Sequence, residues 1–173
     1  TSDYFKKNQQ ILKGYDNSYI YDRDRVKYTA EEINQMVARE INMPYDQLWN
    51  IFVRDCCTMR VSYRTLAKLS QLRSKYTRIL MTVNMDSFSR FTVPALNLDK
   101  YFNIISNSYY EGKGKTDRNG EIFTEYAQRS GVSLRDCILI DDGEDACTIF
   151  EDLGGTAFLV TVSQDIDYYL ALL

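Results

Sequence analysis

The sequence predicts an α/β fold in which a parallel sheet carries helices on both faces. From Arg78 onward, short β-prone apolar runs alternate with stretches whose apolar residues recur at helical spacing. The Ile-Leu-Ile run at 138–140 leads straight into Asp141 and Asp142, a pattern typical of a buried parallel strand. Strands that alternate with helices in this way form parallel sheets, whose carboxyl edge is where open α/β folds bind ligands.

A short helix over residues 3–14 and a short strand over residues 17–21 are expected near the start of the chain. Three helices are expected between residues 29 and 75. Thr29 and Glu32 have the spacing of a capping box at the start of the first helix. Pro44 restarts the chain before a second amphipathic stretch, and Ser62 is the expected start of the third.

Strands and helices are then expected to take turns to the end of the chain. The expected strands are 79–83, 103–106, 137–141 and 157–160, and the expected helices are 88–96, 122–130, 146–153 and 164–173. The pair Gly154–Gly155 is the expected stop of the helix at 146–153.

Composition bounds the function. The chain of 173 residues suits one domain with a small insertion. A net charge of −3 without a basic run argues against nucleic acid as a partner. No apolar stretch has membrane-spanning length and no signal-like segment opens the chain, so no membrane partner is expected. The four cysteines fit a reducing compartment, and we expect a cytoplasmic protein.

The sequence contains no histidine. This excludes Ser-His and Cys-His catalytic pairs and removes the commonest ligand of transition metals. Chemistry in this chain must therefore use carboxylates, Lys, Thr or Asn, together with a hard cation such as Mg²⁺.

Three segments rich in polar side chains follow the expected strands in order. They are Thr82–Asn84 at a strand end, the loop Glu111–Asp117 that contains Lys115, and Ile140–Asp145. Their order and spacing resemble motifs two, three and four of the haloacid dehalogenase-like (HAD) superfamily. The resemblance covers about residues 76–160 and extends to the intervening segments 86–90, 98–102 and 131–137.

The resemblance implies a Rossmann-like core formed by residues 1–28 and 76–173. It also implies a small helical cap formed by residues 29–75, between motifs one and two. The activity that it implies is a magnesium-dependent phosphatase acting on a small phosphorylated metabolite through an aspartyl-phosphate intermediate.

In the family, motifs two and three bind the phosphoryl group. The strand-end alignment assigns motif two to Thr82, and an alignment on the following amide assigns it to Asn84. Lys115 matches the motif-three lysine, which neutralises charge on the substrate oxygens as phosphoryl transfer requires.

The acids of motifs one and four carry the rest of the implied chemistry. Asp22 in Tyr-Asp-Arg-Asp is the candidate nucleophile and Asp24 the candidate acid/base. Asp141 and Asp142 match motif four, so the implied Mg²⁺ ligands are these four carboxylates.

Alternatives remain open. The motif-one strand can also lie upstream of Thr1, because Thr1–Asp3 resembles the segment that follows motif one. Ala146 stands where many members carry another acid or amide. A catalytically inactive HAD-like domain with a binding or regulatory role is therefore the main alternative. A phosphoacceptor domain like those of response regulators is the other, since a strand that ends in paired Asp occurs there too.

Overall fold

The computed structural model describes residues 28–173, which form two compact units. The helical unit consists of residues 28–59 together with Asn84–Ala95. The sheet unit consists of Arg60–Val83 and Leu96–Leu173. No helix in the described part of the chain is both long and apolar enough to cross a membrane.

The helical unit is built on two amphipathic helices, α1 (Ala30–Glu40) and α2 (Tyr45–Cys57). The predicted capping box is present at α1, where Thr29 Oγ1 accepts from the Glu32 N–H and the Glu32 carboxylate accepts from the Thr29 N–H. Pro44 precedes α2. A small buried cluster holds the two helices together: Val37, Ala38 and Leu48.

The segment after the first strand completes the helical unit. It begins as a π-helical turn (Phe88–Thr92) and continues as the short helix α4 (Val93–Leu96). The buried Asp86 caps α1, because its Oδ1 atom accepts from the Ala30 N–H at 2.9 Å. Arg90 pairs with Asp86 at 2.6 Å and with Glu31 at 2.5 Å, which ties this segment to α1.

The sheet unit contains the alternation that the sequence predicts. Its strands are β1 (Ile79–Thr82), β2 (Ile104–Asn107), β3 (Ile138–Asp141) and β4 (Thr156–Leu159). Its helices are α3 (Tyr63–Gln71), α5 (Ser108–Glu111), α6 (Glu121–Arg129), α7 (Glu144–Asp152) and α8 (Ile166–Leu170). Single 3₁₀ turns lie at Leu72–Ser74, Leu98–Lys100, Asp117–Asn119 and Leu134–Asp136.

The four strands form two parallel pairs. β1 pairs with β2 in the register Ile79 to Ile104, and β3 pairs with β4 in the register Ile138 to Thr156. Among residues 28–173 no strand joins the two pairs into one sheet. The strands within each pair are parallel, as predicted. The strands that the structure describes do not by themselves form the single continuous sheet that was expected.

Helices cover both faces of the strands. In β3, Leu139 packs on a cluster that includes Phe123 of α6 and Phe150 of α7. The next residue, Ile140, packs on the opposite cluster of Leu69, Leu72 and Leu170. Successive strand residues point to opposite faces, so this alternation places helices on each side of β3.

Both strand pairs share the first of these clusters. Ile79, Met81 and Ile104 from the first pair pack on it, as Leu139 and Ala157 from the second pair do. The two pairs therefore share helices α6 and α7 as packing partners, and parallel strands covered by helices confirm the predicted α/β fold class.

The described residues do not cover every predicted element. The helix expected at 3–14, the strand expected at 17–21 and the acids Asp22 and Asp24 lie outside residues 28–173. Of the three helices expected at 29–75, two lie in the helical unit and the third, α3, lies in the sheet unit. The cap role of residues 29–75 stays a prediction.

Candidate functional site

A cavity of about 510 Å³ opens at the carboxyl ends of β1 and β3. This is the edge at which parallel α/β folds bind ligands. Its polar side chains come from three of the predicted segments: Thr82, Lys115, Asp141 and Asp142. Its apolar lining comes from Met81, Val83, Ile140, Val160 and Ile166. The sheet unit thus brings together polar residues from Thr82 to Asp142, which are sixty positions apart in sequence.

Lys115 and Asp141 form an ion pair inside this cavity. The side chain of Lys115 is 19% exposed and that of Asp141 only 9%. The second carboxylate oxygen of Asp141, Oδ1, accepts from the Gly143 N–H at 2.8 Å. Both oxygens of Asp141 are thus engaged, whereas Asp142 is exposed to solvent.

A side chain at position 143 would crowd this turn. A Cβ atom there would lie only 3.0 Å from Asp141 Oδ1. The absence of a side chain lets the backbone N–H approach the carboxylate closely, as glycine does where a backbone group must reach a ligand or a charge.

The loop that carries Lys115 is anchored on its two sides. The Gly114 N–H donates to Asp117 at 2.6 Å, and the Tyr126 hydroxyl of α6 donates to Glu111 at 2.5 Å. Lys113 forms ion pairs with Glu125 and Glu121 of α6.

The two lysines of this loop therefore have different environments. The hydrogen bond with Glu125 raises the pKa of Lys113, and that side chain points to α6. Lys115, two residues later, points to the cavity. The anchoring contacts of Lys113 fix the backbone, and this leaves Lys115 as the cation of the site.

A buried thiol lies behind the acids. Cys147 of α7 donates to the backbone carbonyl of Asp141 at an Sγ–O distance of 3.8 Å. Burial, followed by the negative charge of Asp141, raises the pKa of this thiol. Cys147 is therefore a neutral packing residue at physiological pH.

The two alternatives for motif two fall in different parts of the structure. Thr82 ends β1 and lines the cavity. Asn84 belongs to the helical unit. Thr82, which the strand-end alignment selects, therefore lines the same cavity as Lys115 and Asp141.

The donors in the cavity suit a hard cation. Carboxylate and hydroxyl oxygens are the ligands that Mg²⁺ takes in proteins, and Mg²⁺ commonly uses only one or two carboxylates besides water and phosphate. Asp141 and Asp142 supply two carboxylates. Within residues 28–173, no group of three His, Cys, Asp or Glu side chains is gathered at one point. Asp22 and Asp24, the other predicted ligands, lie outside that range.

Sequence reasoning missed the residues that surround the acids. Val160 follows β4 and Ile166 opens α8, and both line the cavity. The expected strand 157–160 ends at the same edge of the sheet as Asp141. Val160, its last residue, could therefore have been predicted to lie near the acids. The role of Asp117 as an acceptor for the Lys115 loop had no signal beyond its closeness in sequence.

Comparison with solved structures identifies the architecture. A HAD family enzyme from Bacteroides thetaiotaomicron, solved with magnesium, matches with a TM-score of 0.71 over 95% of this chain and 86% of that chain, at 21% identity. The same enzyme, solved with magnesium and inorganic phosphate, matches with a TM-score of 0.65 over 82% of this chain and 74% of that chain, at 21% identity. This chain has the HAD-like fold. The resemblance that the sequence motifs carry is confirmed at the level of the fold.

A second kind of HAD-like protein has the same architecture. The L-2-haloacid dehalogenase PA0810 matches with a TM-score of 0.69 over 92% of this chain and 70% of that chain, at 13% identity. Neither a protein-family model nor a curated protein sequence matches this chain. Since fold alone does not determine reaction, the reaction has to be argued from the cavity.

Proposed function

We propose that this protein is a magnesium-dependent phosphohydrolase that acts on a small phosphorylated metabolite through an aspartyl-phosphate intermediate. The observation that carries the proposal is the convergence of Thr82, Lys115, Asp141 and Asp142 on one cavity at the carboxyl edge of the strands. The magnesium and inorganic phosphate bound by the similar Bacteroides thetaiotaomicron enzyme support it.

Each residue has a role that its chemistry allows. Lys115 and the Thr82 hydroxyl, or Asn84 in the other alignment, hold the phosphoryl oxygens and neutralise their charge. Asp141 and Asp142, together with Asp22 and Asp24, are the candidate Mg²⁺ ligands. Bound Mg²⁺ would neutralise further charge on the phosphoryl group.

The acids of the first motif carry the covalent steps of the proposal. A carboxylate oxygen of Asp22 attacks phosphorus while the ester P–O bond breaks, and Asp24 donates a proton to the departing oxygen. Water then attacks the phosphorus of the aspartyl phosphate and gives its proton to Asp24. Inorganic phosphate leaves and the Asp22 carboxylate is regenerated.

The test is hydrolysis of p-nitrophenyl phosphate by the purified chain with Mg²⁺. We expect Asp22→Asn to abolish turnover, because an amide cannot form the intermediate. Lys115→Ala should lower kcat about 10²- to 10³-fold, the usual effect of removing one charge-stabilising donor. Asp99→Asn, at an exposed acid outside the cavity, is the matched control and should retain full activity. An Asp22→Asn protein that stays active would refute the assigned nucleophile.

One observation favours a second candidate, a HAD-like domain that binds ligands without catalysis. Position 146, where many members of the family carry an acid or an amide, is a buried alanine, and Asp141 is paired with Lys115. A folded wild-type chain that binds Mg²⁺ and phosphate but hydrolyses no phosphate ester would select this candidate.

A further inference from the structure

Two chemically different sets of side chains line the cavity at the strand ends. The charged set contains the Lys115–Asp141 ion pair. The aliphatic set, which we call the rim, consists of residues that directly follow a strand or begin a helix: Val83, Val160 and Ile166.

Two of the rim residues are unusually open to solvent for aliphatic side chains that line a polar site. Val83 is 44% exposed and Ile166 is 42% exposed. Single exposed apolar residues are common on protein surfaces and need no explanation. Here, however, they converge on the same cavity as a lysine and two acids, which is the composition of a ligand site with a few polar groups in an apolar wall.

The fold holds Ile166 firmly in this rim. Asp165 caps α8, since its carboxylate accepts from the Tyr168 N–H at 2.8 Å. Asp167, the residue after Ile166, accepts from the Thr65 hydroxyl of α3 at 2.5 Å. These contacts fix the first turn of α8, so Ile166 is presented by a fixed backbone.

We propose that the rim formed by Val83, Val160 and Ile166 selects phosphate monoesters whose esterified group is apolar, and specifically an aryl group. This inference rests on the proposed function, because it takes the charged set of lining side chains as the phosphoryl site. An apolar group gains free energy when the rim removes it from water. The three rim side chains offer the hydroxyl group of a sugar no hydrogen-bond partner in place of the water that it would lose.

The test is a comparison of two non-hydrolysable ligands, phenylphosphonate and methylphosphonate, by titration calorimetry of the wild-type chain with Mg²⁺. The two ligands share the charged group and differ in the apolar group alone. We expect phenylphosphonate to bind about tenfold more tightly, as partial burial of one ring predicts.

Two substitutions assign the preference to the rim. Val83→Thr, which changes polarity at constant shape, and Ile166→Thr should each reduce the preference for phenylphosphonate to about threefold or less, with unchanged affinity for methylphosphonate. Val162→Thr is the matched control, since Val162 is fully exposed and does not line the cavity, and it should keep the wild-type preference.

The outcomes separate this inference from the proposed function. Equal affinity of the wild type for both phosphonates overturns the apolar rim and leaves the phosphoryl site standing. A preference that survives both rim substitutions also overturns it. A chain that binds neither phosphonate refutes the rim and the phosphoryl site together.

Discussion

The ammonium group of Lys115 contacts the Oδ2 atom of Asp141, 26 residues further along the chain, while the Oδ1 atom of the same carboxylate accepts from the Gly143 N–H. One carboxylate is thereby shared between a side-chain cation and a backbone donor. A metal ion that uses Asp141 must compete with Lys115. In the proposed enzyme, metal binding would release the lysine toward the phosphoryl group, which is where its charge is needed.

The two adjacent acids are expected to respond differently to neutralisation. In metal-free buffer, Asp141→Asn should lower the free energy of unfolding by about 1–3 kcal/mol, because it leaves Lys115 without its counter-ion. Asp142→Asn should change it by less than about 0.5 kcal/mol, since Asp142 is exposed. Urea denaturation in the presence of EDTA measures both. Equal effects of the two substitutions would show that the ion pair contributes nothing to stability.

Magnesium should stabilise the folded chain. A ligand that binds only the native state raises the free energy of unfolding by mass action, so millimolar Mg²⁺ should raise Tm. Asp141→Asn and Asp142→Asn should both diminish the rise, because each removes a hard oxygen donor. Asp99→Asn is the control and should respond as the wild type does. A wild-type Tm that is indifferent to Mg²⁺ would remove Asp141 and Asp142 from the list of metal ligands.

Local chemistry explains why much of this fold could be predicted from the sequence. The capping box at Thr29 and Glu32 satisfies backbone donors within one turn, so its signal lies in four consecutive residues. The apolar run at 138–140 forms a strand wherever it is buried, and the acids that follow must then emerge at its carboxyl end. Thr82 and Asp141 each end a strand of a parallel pair, and the carboxyl end of such strands is where ligand-binding residues are expected.

Non-local features of the site could not be predicted in this way. Adjacency in sequence suggests that Asp141 and Asp142 mainly repel each other, but the ion pair with Lys115 distinguishes them. That pair depends on a loop whose backbone is fixed by Asp117, a contact that no periodicity encodes. The arrangement of the described strands as two pairs could not be predicted either, because a hydrophobic pattern specifies whether a strand is buried and not which strand lies beside it.

The Glu31–Arg90 ion pair should make stability depend on pH in the acid range. The hydrogen bond from Arg90 lowers the pKa of Glu31 below its ordinary value of 4.5. A carboxyl whose pKa is lower in the folded state stabilises the fold above its unfolded pKa, and this contribution disappears as pH falls through the folded pKa. Wild type should therefore exceed Glu31→Gln in stability at pH 7, and the difference should shrink as the pH is lowered below 4.5.

Urea denaturation of both proteins across this pH range measures the difference. Glu151→Gln, at an exposed position of α7, is the control and should differ from wild type by a nearly constant amount. A difference between wild type and Glu31→Gln that grows as the pH falls would contradict the assigned direction of the pKa shift.

Two glycines with the same backbone conformation should differ in their tolerance of alanine. Gly120 and Gly131 have φ angles of +73° and +68°, a region in which a Cβ atom is strained. At Gly131 no heavy atom lies within 4 Å of an added Cβ, whereas at Gly120 it would lie 2.5 Å from Ile149 Cγ2. Gly131→Ala should therefore cost only the backbone strain, about 1 kcal/mol. Gly120→Ala should cost about 1–3 kcal/mol more, because the core cluster of α6 and α7 must shift to make room. The free energies of unfolding of the two variants, measured by urea denaturation, test this, and equal losses would show that the contact between Gly120 and Ile149 relaxes without cost.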